Sequence, residues 1–103
     1  MKATLHESFN ALMHTPFPAF GDNDELADLV GELAEFDGHV AGVASTVLGG
    51  DGGAIPSSLA EHSGALRRRL AKMTDLSSED LEIVRAVRNY LDAIDWVIQA
   101  LAR

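Results

Sequence analysis

Apolar residues along this chain recur at helical rather than alternating intervals. Between residues 22 and 48, Leu26, Leu29, Leu33, Phe36, Val40, Val43 and Val47 step by alternating threes and fours. That heptad spacing puts all seven on one side of a helix and demands that the side be buried. Ala27, Gly31, Ala34, Gly38, Ala41 and Ser45 follow the same steps on nearly the opposite side, and every one of them is small. Glu25, Asp28, Glu32, Glu35 and His39 form a third ridge between these two. The first long helix, 22–48, therefore carries a core face, a smooth face and an acidic face.

The same reading extends to the rest of the chain. Thr4 and Glu7 match a capping box, and Leu5, Phe9, Leu12 and Met13 then fall on one side, which predicts a short helix over 5–13. Residues 1–21 form one unit with the segment Pro16-Phe17-Pro18-Ala19-Phe20, whose prolines stop the helix and whose phenylalanines are expected to pin it to the core. Asp22 and Glu25 offer a capping pair for the first long helix. Gly49, Gly50, Gly52 and Gly53 mark a flexible linker over 49–56. A second long helix is expected over 57–73, with Ser58 and Glu61 as caps and a thin core line of Leu59, Ser63, Leu66, Leu70 and Met73. A short turn at Thr74-Asp75-Leu76 makes it an antiparallel neighbour of a third long helix over 77–102. Ser77 with Asp80 reads as a capping box there, and Leu76 with Leu81 as a hydrophobic staple. Val84, Val87, Leu91, Ile94, Ile98 and Leu101 give this last helix a full seam. Ile83, Tyr90 and Val97 widen it on one side and Ala86, Ala93 and Ala100 on the other, enough to meet more than one helix.

Composition narrows the field. A chain of 103 residues is one domain with one core. It has no cysteine, which removes disulfides, thiol nucleophiles and thiolate metal sites. No apolar stretch is long enough to span a membrane, and Met1 to Met13 lacks the pattern of a signal peptide, so the expected compartment is the cytoplasm. The net charge of −8 arises entirely in residues 1–53, where Lys2 stands against nine acids; residues 54–103 hold seven charges of each sign. Such a surface disfavours nucleic acid and anionic membranes, whose phosphates need cations. Arg67-Arg68-Arg69 with Lys72 is the exception. Successive helical residues point about 100° apart, so the run flanks its helix rather than forming a one-sided patch, and it is expected to answer acids on its own chain or a neighbour's.

Candidate chemistry is sparse. Glu35 and His39 have the one-turn spacing of two metal ligands, and His62 could approach from the next helix. A metal site in a bundle normally needs more inward carboxylates and imidazoles, so these remain boundary residues and no metal or other cofactor is expected. The acid pairs Glu32/Glu35, Glu79/Glu82 and Asp92/Asp95 have the spacing by which all-α nucleotide pyrophosphatases hold magnesium, but no lysine-rich phosphate grip accompanies them. The glycine-rich linker lacks the Gly-Lys-Ser/Thr of a phosphate loop. Asp37, at the seam's edge, should find a structural partner such as Arg85 or Arg88. The serines are explained as caps or small-face residues, with no triad. Trp96 lies off the seam and is either covered by the N-terminal segment or free as an interface anchor.

The expected fold is all-α: a short N-terminal helix plus three longer helices in an up-down antiparallel bundle. The expected function is a non-catalytic protein-protein interaction or regulatory module that associates with itself as a homodimer, or with another protein. Its interface would comprise Ala27, Gly31, Ala34, Gly38, Ala41, Ser45 and Trp96. The smooth face would meet the N-terminal segment, the last helix or a second copy. The alternative is a small-molecule or metal-binding bundle using Glu35, His39 and His62.

Overall fold

The computed structural model describes residues 2–50 and 58–102. Four helices follow in order: α1 (Lys2–His14), α2 (Asp24–Leu48), α3 (Ser58–Ala71) and α4 (Ser78–Leu101). The expected all-α bundle is observed. Its proportions differ from expectation, because α3 is nearly as short as α1, so two long helices carry two short ones.

α4 packs against all three other helices, and α2 does the same, while α1 and α3 do not meet. α2 and α4 are thus the central pair, and α1 and α3 occupy its two flanks. The molecule measures 45 × 24 × 17 Å, close to the length of the two long helices laid side by side.

The wide apolar face of α4 explains its position. Ile83, Val84, Val87, Tyr90, Leu91, Ile94, Val97, Ala100 and Leu101 are all buried. On α2 the buried set is Leu26, Leu29, Val30, Leu33, Phe36, Val40 and Ala44, with Val43 and Val47 only partly covered. Val30 and Ala44 join the core because a straight helix of 3.6 residues per turn drifts away from a strict heptad seam. On α3 the thin line holds: Leu59, Ser63, Leu66 and Leu70 are buried, and Met73 packs partly against the core just beyond the helix.

Helix ends show where local chemistry prevails. The Ser77 hydroxyl accepts from the Asp80 amide and the Asp80 carboxylate accepts from the Ser77 amide, a complete capping box. At α2 the cap is Asn23, whose side-chain oxygen accepts from the Leu26 amide at 3.1 Å, and not Asp22 as the spacing suggested. Asn23 also reaches α4, donating to Asp80 at 3.5 Å. α1 begins at Lys2, so Thr4 lies inside the helix and is no cap. Of the linker expected over 49–56, Gly49 caps the end of α2 and Gly50 follows at φ +92°, while residues 51–57 lie outside the described residues; Ser58, expected as a cap, is already helical.

Between α1 and α2 the chain crosses the lower part of α4. Phe17 sets its ring edge against Tyr90 at 5.1 Å and 76°, and Pro18 is buried. Phe20, expected to be a second pin, is instead 52% exposed. Gly21 does the work of close approach. Its φ is +70°, a conformation that favours glycine, and a Cβ there would lie 2.5 Å from Ile83 Cδ1, so that side chain would have to shift. α1 itself buries Leu5 and Leu12, and between them Ser8, whose hydroxyl donates to the Leu5 carbonyl at 3.0 Å. Met13, expected on the buried side, points away and is 69% exposed.

Candidate functional site

The small-residue face of α2 stays open. Ala34, Gly38 and Ser45 are exposed, and Ala27, Gly31 and Ala41 are half-buried. A Cβ built on Gly31 or Gly38 would meet nothing within 4 Å. Neither α1 nor α4 therefore approaches these glycines closely, which corrects the expectation that either could close the face. Gly42, which the stepwise stripe left out, is equally open. Its one-turn spacing from Gly38 was the signal that could have included it. The Thr46 hydroxyl donates to the Gly42 carbonyl at 2.9 Å, keeping that side chain on its own helix.

Trp96 is 42% exposed on α4, so its own chain covers only part of the ring. It belongs to a different helix from the stripe.

A few charged residues, by contrast, are engaged across helices. Arg67 Nη2 lies 2.6 Å from Asp95 Oδ2 and 2.8 Å from Asp92 Oδ1, and the Ser63 hydroxyl donates to Asp95 Oδ1 at 2.6 Å. Burial opposes the charge on Arg67, but the Asp92 and Asp95 carboxylates outweigh it and hold the guanidinium above its ordinary value. Arg69 pairs with Glu32 on α2. The arginine run thus divides between two helices of its own chain, and two of the three acid pairs considered for magnesium are already tied to arginine.

Asp37 is half-buried near the Tyr90 hydroxyl and makes no ion pair with Arg85 or Arg88. Burial raises the Asp37 carboxyl above its ordinary value, and the hydrogen bond from Tyr90 works against that rise. Tyr90 is pushed up by burial first and by Asp37 second, so its hydroxyl remains a donor.

The metal candidates sit apart from any such cluster. Glu35 and His39 are exposed on α2, while the His62 ring from α3 lies over Phe36 at 4.4 Å between centroids. Among the described residues no three His, Asp or Glu side chains are placed to hold a metal ion. No described helix is long and apolar enough to cross a membrane.

Comparison of the chain with protein-family models, curated proteins and solved structures finds no match. The site is therefore read from its own residues. The open face of α2 offers room for close backbone approach and dispersion contact, and its small side chains carry no group poised for proton transfer.

Proposed function

We propose that this chain is a non-catalytic helical interaction module that associates with a second copy through the small-residue face of α2. The observation that carries this reading is the open line of Gly31 and Gly38. Each glycine costs a helix interior about 0.8–1 kcal/mol relative to alanine, and nothing inside the protomer offsets it. A backbone of a second copy seated on that face would offset it by close contact. Small-residue spacing of this kind brings helices together in membranes, where packing rather than hydrophobicity drives association. Trp96 is a further aromatic anchor on the same module. The acidic charge favours a protein partner over nucleic acid or anionic lipid. The cysteine-free composition suits the cytoplasm.

The test is absolute mass in solution, by light scattering on a sizing column over a wide concentration range. A dimer is expected, and Gly31→Leu with Gly38→Leu should convert it to monomer. Both positions have room for a Cβ in the protomer, and circular dichroism with melting temperature checks that the leucine variant keeps its fold, so that its mass reports on the interface. A wild-type monomer throughout, or a dimer that the double variant leaves unchanged, rejects the proposal.

A further inference from the structure

A second surface, on the other side of the molecule's charge balance, lies where α3 gives way to α4. The turn from Lys72 to Ser77 leaves a depression of about 430 Å³, large enough for two or three apolar side chains. Met73, Leu76 and Val84 form its floor, and Leu81, Arg85 and Arg88 its rim. The sequence expects a staple between Leu76 and Leu81 to close this spot. Leu76 does pack partly against the core, but Leu81 is 55% exposed, and the two border the depression together.

The rim is cationic in an acidic protein. Arg85 and Arg88 are exposed, and among the described residues no carboxylate lies within ion-pairing distance of either. Arg67 and Arg69 are each paired across helices, while the exposed Arg68 between them, like Arg85 and Arg88, has no ion pair among the described residues but does not border this depression. Asp37, the acid that could have claimed Arg85 or Arg88, pairs with neither. Two arginines one helical turn apart are thus held beside an exposed leucine and an apolar floor.

We infer that this depression docks a short amphipathic helix of another protein, one that presents leucine-like side chains to the floor and carboxylates to Arg85 and Arg88. The apolar floor supplies affinity through anchors at helical spacing, and the paired arginines select an acidic over a basic partner. The surface is distinct from the α2 face, so the inference stands or falls independently of self-association through α2.

Fluorescence anisotropy with three labelled synthetic helices tests it on the full chain. One has a leucine stripe flanked by glutamate, one the same stripe flanked by lysine, and one glutamate without leucine. The leucine-glutamate helix alone should bind. Arg85→Glu with Arg88→Glu should weaken that binding by about tenfold or more, since two attractive contacts become repulsive, and should let the lysine helix bind instead. Leu81→Ala should weaken it without altering the preference for acid. Circular dichroism checks that each variant is folded, and amide shifts in the wild-type protein should localise the bound helix to residues 73–88 with no variant needed. Failure of the leucine-glutamate helix to bind at millimolar concentration, equal binding of the lysine helix, or amide shifts elsewhere overturns the proposal. So does a wild-type dimer that Arg85→Glu with Arg88→Glu dissociates, because the occupant would then be a second copy.

Discussion

The two short helices meet the α2–α4 pair by different physics. α3 brings a thin apolar line in which one of the four buried positions is Ser63, and it is fastened by Arg67 to Asp92 and Asp95 and by Arg69 to Glu32. α1 buries Leu5 and Leu12 and, among its described residues, has no ion pair; the chain beyond it adds Phe17 against Tyr90, the buried Pro18 and the close approach of Gly21 to Ile83. A helix with few apolar anchors is poorly fixed in rotation and register by burial alone, because burial is non-directional. Charged hydrogen bonds supply direction, and among the described residues the ion pairs all fall on the α3 flank.

The largest effect should erase the distinction. Phe36 is 1% exposed at the centre of the bundle and carries His62 of α3 on its face. Phe36→Ala is expected to cost about 3–5 kcal/mol and to loosen both flanks together, as urea unfolding followed by helicity will show. If α1 keeps its hydrogen-exchange protection in that variant, the central pair does not unify the two flanks.

A middling effect should fall on one flank only. Asp95→Ala removes the acceptor shared by Ser63 and Arg67, leaving Arg67 with Asp92, whose side chain is 69% exposed. The expected loss is about 1.5–3 kcal/mol, typical of hydrogen bonds to a charged group. Hydrogen exchange should rise along α3 and stay unchanged along α1. Added salt should reduce the difference between variant and wild type, because partly exposed pairs are screened.

The smallest effect concerns the polar contact beside the α1 flank, where Asp37 meets Tyr90. The folded carboxyl of Asp37 titrates above its ordinary 3.8 because burial disfavours its charge. Its contribution to stability is therefore fully present below 3.8 and is lost as pH rises through the folded value. Asp37→Asn should remove that slope, so the variant gains on the wild type as pH rises from about 4 towards neutrality. Melting temperature measured against pH for both proteins decides it; parallel curves would mean that Asp37 titrates as if in water.

Much of the bundle was legible in the sequence because it depends on period alone. The wide face of α4, the thin line of α3 and the Ser77–Asp80 box follow from spacing and local capping. What depended on the rotation of one helix against another was not legible. Asp37 lies close enough in sequence pattern to favour an arginine, yet the rotation of α4 presents Tyr90 to it. Arg67 and Arg69 are two residues apart, and their separate targets on α4 and α2 follow from their angle around α3. For the candidate site, the membership of the stripe was readable from Ala27 to Ser45, but its openness was not. That depends on where α1 settles, and no local signal fixes a docking position across a proline-containing connection.

The dominance of α4 bears on how the protein is made. It is the last of the four helices to be synthesised, and each of the other three packs against it. α1, α2 and α3 therefore leave the ribosome with their apolar sides incomplete, since α2 alone cannot supply the surface that α4 gives each of them. The core is completed only once α4 has emerged, and until then the sides of Leu26, Leu33 and Phe36 that α4 covers are open to chaperones and to other nascent chains.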